Sequence, residues 1–446
     1  MQLYKSIMIK YIRSGFTFFL TMVASAVMAQ STATNSSPYS QFGLGTLNDA
    51  LLPQTRAMGG ISTAINRISG YNTINILNPA SYSFINLTTI DIGVYGNIST
   101  LKQNTVTGQT NANFRLSHFN FAAPVSRHSA LSFGLVPYSE LGYNYRQSQS
   151  NFGTGLPADT SAVNYLYTGD GGLSKAYAGY GFNIGRIISF GGNVSYIFGN
   201  LRKFRSTEIP SLFGTLNSRT ERSNSVGGLN YDFGTQVNID LSETRHLVLG
   251  YSGSASTSLN TRITNVVSQY RTTTDGSESS AIDTISNQLI SNGKIKLPLI
   301  HHFGISYQKD GKFLIGADYS RGNWSSLTIG GVNQGLQNTQ TFNVGGQFTP
   351  NNNALKNYFA LIDYRLGARY EKTYINISNT NIDVKAVSFG LGLPLPRNGG
   401  AFYKVNLAGE YGQRGTLQSN LIKENFFTIH VGFTLNDTWF TRYRFD

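Results

Sequence analysis

In a chain of 446 residues, charged side chains make up only 13%, while 48 Gly, 26 Tyr and 28 Phe are all generous. The net charge of +13 comes from scattered Lys and Arg, which argues against nucleic acid as a partner. The lack of any cysteine excludes a disulfide framework, a thiolate metal site and a lipid-anchored cysteine.

Residues 1–29 open with Lys5, Lys10 and Arg13, continue with an uncharged run to Met28 and end on the small-residue site Val27-Met28-Ala29. A basic head, a short apolar core and small residues before the cut describe a secretory signal peptide. The mature chain is expected to start at Gln30 with a net charge of +10, since the leader holds three of the 35 basic residues and none of the 22 acidic ones. Beyond it no uninterrupted apolar run nears the roughly 20 residues of a spanning helix.

Residues 30–55 are polar and weakly patterned, an arm leading into Arg56–Ile85. That segment lacks the period-two alternation of everything after it. It offers the pair Gly59-Gly60, a helix-compatible run from Ile61 to Ile68 and the turn Asn78-Pro79-Ala80, where proline fixes its own φ and pushes the preceding residue out of the helical region. Two readings stand side by side: a plug inside a barrel, or an ordinary N-terminal arm.

From Thr88 the alternation is sustained. In Ile188–Phe198 the even positions are Ile, Phe, Gly, Val, Tyr and Phe, and the odd ones are Ser, Gly, Asn and Ser up to Ser195. Such segments fall near 88–98, 113–123, 129–145, 173–184, 187–199, 226–241, 245–258, 294–308, 312–325, 340–348, 357–371, 384–394, 402–413 and 425–436. The total, about 14, is even, as in bacterial single-chain membrane barrels. Asn183–Arg186 and Asp310-Gly311 read as tight turns, whereas 146–172, 204–224, 260–292 and 372–383 read as long external loops.

A soluble β-sandwich or propeller would also alternate, but it would carry abundant charge outside; here the polar face is mostly Ser, Asn and Gly, and aromatics gather at strand ends. The fold class is therefore all-β: a transmembrane antiparallel β-barrel of about 14 strands with an N-terminal plug in the lumen. Its domains are a signal peptide (1–29), the arm and plug (30–86) and the barrel (87–446).

Charges on one face of the segment after Tyr358, namely Asp363, Arg365, Arg369 and Glu371, would be intolerable in lipid but not in a wet lumen. They read either as a selectivity filter or, preferably, as cross-strand pairs that hold the barrel shut. Pro137 and Pro394 cannot donate ladder bonds, so each marks a strand end, a bulge or a break in pairing. No His-Glu-x-x-His, Gly-x-Ser-x-Gly or phosphate loop is present, adjacent His301 and His302 point to opposite strand faces, and no cofactor or metal is expected. His301 is the residue to examine for a lipid-esterase reading.

Gly59-Gly60 followed by Asn78-Pro79-Ala80, ahead of about 14 alternating strands, resembles the long-chain fatty-acid transporter (FadL-like) family of outer-membrane proteins. The resemblance implies a hatch that blocks the lumen and carries the Asn-Pro-Ala signature, with lateral exit of a hydrophobic ligand through a kink in the third strand, where Pro137 falls. It points to a monomer in the outer membrane of a Gram-negative bacterium, not an enzyme, passing fatty acids or hydrocarbons passively through a channel gated by the N-terminal plug. Hydrophobic contacts for such a ligand would come from Met58, Ile61, Ile65, Ile74, Ile76, Leu77 and Phe84. Some relatives of that family have lost transport and serve as scaffolds for protein secretion, so a secreted-protein partner is the alternative to a small molecule and the surrounding lipid.

Overall fold

The computed structural model describes residues 37–438 apart from 69–70, 105, 152, 154–160, 186, 211–214, 274–277 and 397–400; the expected signal peptide lies outside the described residues. The first elements are short: β1 (Thr46–Leu47), α1 (Pro53–Arg56) and the hairpin of β2 (Arg67–Ile68) and β3 (Tyr71–Asn72). Next come β4 (Thr88–Gln103), β5 (Val106–Ser126), β6 (Ser129–Ser150), β7 (Ala162–Ile184), β8 (Ile188–Glu208) and β9 (Asn217–Ser242). After them follow β10 (Arg245–Ser254), β11 (Ser258–Tyr270), β12 (Asp283–Lys296), β13 (Ile300–Lys309), β14 (Phe313–Gly322), β15 (Thr328–Ile329) and β16 (Val332–Asn333). The last five are β17 (Thr339–Phe348), β18 (Asp363–Ile377), β19 (Thr380–Pro394), β20 (Phe402–Arg414) and β21 (Lys423–Asp437).

Period-two alternation becomes a wall because each strand turns one face to lipid and the other to the interior. In β8 Phe190, Val194 and Tyr196 are exposed on the outside, while Ser189, Asn193 and Ser195 are buried within. Fourteen strands, β4–β10, β13, β14 and β17–β21, pair antiparallel in succession, and β21 pairs with β4 to close the ring. Each of the fourteen expected segments overlaps one of them.

The stretches expected as long external loops are largely strand. Residues 217–225 pair with β8 on one side and β11 on the other, and Arg146–Ser150 pair with β7. Above the bilayer neither face meets lipid, so both are polar and the alternation vanishes although the ladder continues. At 378–379, within the fourth expected loop, there is only a tight turn between β18 and β19, with both residues at positive φ. Conversely, the expected start of a strand at 357 is a 3-10 turn over Tyr358–Ala360, and β18 begins at Asp363.

One pair in the ring is incomplete. β5 and β6 pair only from Phe119–Leu135 to Ser126–Ser129, although each exceeds twenty residues. Beyond Leu135 the freed edge of β6 takes β1 instead, Thr46 against Glu140 and Leu47 against Ser139. Pro137 stands at that point, where the register of β6 against β7 also shifts.

Inside, the described residues of 37–86 occupy the cylinder. Toward the outer end, Tyr39 and Leu44 join Leu141, Leu173, Leu201 and Trp324 in an apolar core. Lower down, Leu52, Ile74, Ile76 and Tyr82 pack on Ala122, Val136 and Tyr177, and Met58, Ile61, Ile65 and Ile68 pack on Leu314.

Candidate functional site: plug, wall and lateral break

The plug follows from its own local chemistry. Pro53 sits in the first turn of α1, where its missing N–H is no loss, and Gly59 and Gly60 adopt φ of 72° and 88° to reverse the chain. Asn78 caps the 3-10 turn Pro79–Phe84: its Oδ1 accepts from the Ala80 N–H at 3.2 Å. Its Nδ2 donates to the Thr63 carbonyl at 2.7 Å and, across to the wall, to the Thr235 carbonyl at 3.2 Å. The Asn-Pro-Ala signature thus ties two parts of the plug to β9.

Around the ring, wall glycines face the plug. A methyl at Gly181 on β7, Gly191 on β8, Gly234 on β9, Gly250 on β10 or Gly304 on β13 would lie under 3 Å from atoms of Thr63, Asn78, Pro79 or Tyr82. The same holds for Gly345 on β17, Gly367 on β18, Gly390 on β19 and Gly432 on β21 against Pro53, Ala57, Met58 or Gly59. Real Cβ atoms essentially never come so close, so the wall touches the plug with bare backbone. Polar bonds complete the seam. Asp318 Oδ2 accepts from Ser62 N and Thr63 N at 2.7 Å each, Ser388 Oγ accepts from Gly59 N at 2.8 Å, and Ser306 Oγ donates to the Ala64 carbonyl at 2.7 Å.

The expected lumen charges do face inward, joined in pairs. Asp363 binds Arg365 at 3.0 Å and Lys404 at 2.7 Å, and Arg369 binds Glu371 at 3.1 Å and Glu410 at 2.7 Å. Lys175 and Asp232 form another buried pair at 2.6 Å, and His118 Nε2 meets Asp91 at 2.6 Å; sequence offered no sign of these, because the partners lie on different strands.

Besides a polar pocket of about 340 Å³ at the opposite end, lined by Arg67, Asn72, Asn86, Lys309 and Asn352, two small cavities lie between plug and wall among the described residues. One, of about 140 Å³, is bordered by Arg56, His118, Glu140, Arg369, Glu410 and His430; the other, of about 130 Å³, by Leu77, Lys175, Asp232, His302 and Glu371. Both lie below the several hundred Å³, mostly apolar, of a usual ligand site. Of the hydrophobic contact candidates, Met58, Ile61, Ile65 and Ile74 are buried in the plug–wall core, Ile76 and Leu77 border the second cavity, and Phe84 lies under the Arg67 guanidinium at 5.3 Å. Both cavities also reach Val136 and Pro137 at the break between β5 and β6. There Glu140 binds Arg115 at 3.0 Å and accepts from Asn48 Nδ2 at 2.9 Å and from the Tyr95 hydroxyl, so the N-terminal arm seals the break.

His301 lies on the outer wall, bonded through Nδ1 to the Tyr251 hydroxyl at 2.9 Å and stacked with Phe303. Among the described residues no group of three or more His, Asp or Glu could hold a metal. Burial pushes the phenol of Tyr39, which donates to the Ile422 carbonyl, up to about 12.

A plugged fourteen-strand wall of this kind can be set beside known proteins. A family model described as BamG matches residues 8–446, nearly the whole chain. The chain belongs to the BamG family. Among solved structures, this BamG-family barrel is similar to a FadL homologue of Pseudomonas aeruginosa, with TM-score 0.54 and 12% identity over 89% of this chain and all of that one. It is similar also to the toluene transporter TodX of Pseudomonas putida, with TM-score 0.55 and 14% identity over 88% of this chain and 99% of that one, and to the monoaromatic hydrocarbon channel CymD, with TM-score 0.53 and 12% identity over 89% and 99%. At such identities the likeness is one of fold: the BamG-family chain adopts the same β-barrel fold as those three structures. No curated protein sequence matches it.

Proposed function

We propose that this protein is an outer-membrane barrel sealed by its own N-terminal segment, working as a fixed scaffold that docks other proteins rather than as an open channel. The observation that carries this reading is the set of wall glycines pressed against the plug on β7–β10, β13, β17–β19 and β21, against its backbone on β7, β8, β10, β13, β17 and β18 and against Asn78, Ala57 and Pro53 side chains on β9, β19 and β21. A gate needs two arrangements of similar free energy. Here displacing the plug breaks the Asp318 and Asn78 bonds, and movement toward β7, β8, β10, β13, β17 or β18 drives plug backbone into wall backbone. Among the described residues the apolar core at the outer end and the paired charges within interrupt any apolar route through the lumen.

A second reading, a passive passage for hydrophobic small molecules such as fatty acids or hydrocarbons, draws support from the interrupted β5–β6 pairing at Pro137 and from the fold shared with hydrocarbon channels. One experiment separates the two. The chain has no cysteine, so Ala57→Cys with Ser388→Cys, where Ser388 Oγ is 3.2 Å from the Ala57 carbonyl, places one thiol on the plug and one on the wall for a single oxidisable, reducible link, confirmed by its gel mobility. As a scaffold, the oxidised protein restores growth and outer-membrane composition in a strain lacking the native copy. If oxidation abolishes that rescue and reductant restores it, the plug must move and the scaffold reading fails.

A further inference from the structure

The outer wall carries a groove of about 1140 Å³ across β13, β14 and β17–β21. Its sides are Ile305, Val344, Tyr370, Val387 and Tyr411, and its floor is lowered by small residues, Ala317 and Ala368. Val344, Tyr370, Val387 and Tyr411 are all strongly exposed, which suits lipid chains and nothing aqueous.

At its outer end the groove stops at Lys385 and Lys423. Lys423 lies directly opposite Lys102 in the β21–β4 ladder, and both side chains point outward, continuing the faces of Phe427 and Ile98. Like charges directly opposite on neighbouring strands repel. Neither lysine of this pair, nor Lys385, has an ion-pair partner among the described residues. The nearest carboxylate along β19, Asp383, is engaged by the Tyr370 hydroxyl at 2.8 Å. The combination is an apolar trough in the hydrocarbon zone capped by three cations at the level of the outer headgroups.

We infer that this face is a binding site for an outer-leaflet lipid with a phosphorylated headgroup, its acyl chains in the groove and its phosphate on Lys102, Lys385 and Lys423. The phosphate removes the repulsion between Lys102 and Lys423, and the chains fill the concavity. The inference depends on the barrel standing in the outer membrane and is independent of whether the plug moves.

The test uses the full mature protein in detergent, with diphosphorylated lipid A as probe and native mass spectrometry as readout. The wild type should retain lipid A, and Lys102→Gln/Lys385→Gln/Lys423→Gln should bind on the order of a hundredfold more weakly, roughly fivefold for each lysine near a charged membrane surface. A control, Lys309→Gln/Lys356→Gln at the opposite rim, should bind as the wild type does, and the heat-dependent gel shift of a folded barrel should be the same for all three. Monophosphorylated lipid A should bind more weakly, and inorganic phosphate should not displace the lipid. Equal binding by the triple variant, an equal loss in the control, or displacement by phosphate alone would each overturn the assignment.

Discussion

Gly345 and Gly367 stand opposite each other on β17 and β18, and both abut the plug at Met58 and Gly59. A methyl on either meets backbone atoms rather than the end of a flexible side chain, so wall and plug can only part. Overpacking of this kind costs about 1–3 kcal/mol per site, and because the two sites press on one segment their effects should not simply add. For Gly345→Ala/Gly367→Ala we expect a loss of about 3 kcal/mol from the free energy that holds the plug in place, which raises its opening about a hundredfold. The assay exploits the cysteine-free chain. Met58→Cys is fully buried, so maleimide labels it only when the plug opens, and the labelling rate should rise about a hundredfold in the alanine background. An unchanged labelling rate, with unchanged urea resistance, would refute the idea that bare-backbone contact holds the plug.

Three further outcomes are expected. Asp363→Asn leaves Arg365 and Lys404 buried without their shared carboxylate and should lower stability by about 3–5 kcal/mol, seen as a lower unfolding midpoint in detergent. Asn78→Ala removes a cap and two bonds to carbonyls and should cost about 1–3 kcal/mol, read by Met58→Cys labelling in the same way. Tyr39 has a folded pKa of about 12 above an ordinary 10, so its contribution is fully present below pH 10 and is lost as pH rises toward 12. Ser40→Cys labelling should therefore rise over that window, and in Tyr39→Phe the step should disappear.

The wall was legible because lipid imposes a rule on every second residue, and Ile188–Phe198 or Phe427–Leu435 obey it without help from neighbours. Where lipid ends, the rule ends: Asn217–Ser225 is polar on both faces and reads as loop, although it is hydrogen-bonded on both sides. Asn78-Pro79-Ala80 announced a turn, but not that Asn78 would reach Thr235 from 157 residues away. The inward charges Asp363 to Glu371 could be assigned to a face, whereas Lys404 and Glu410 as their partners required the register of β18 and β20 across β19. The apolar plug residues illustrate the opposite limit. Met58 and Ile61 look like ligand contacts in a sequence, yet each is consumed by packing against the wall. Glycines such as Gly345 and Gly367 are spaced by the wall and not by any local pattern, so their common role emerges only in three dimensions.

The seam between β4 and β21 joins the first and last wall strands, fifteen residue pairs long, directly after the N-terminal segment has left the interior at Leu87. With plug and wall in direct contact at nine wall glycines, a finished ring is a poor container to load afterwards. Biogenesis must therefore curl the sheet around a segment already in position, so that the earliest-made stretch of the mature protein serves as the mandrel on which the later hairpins are shaped.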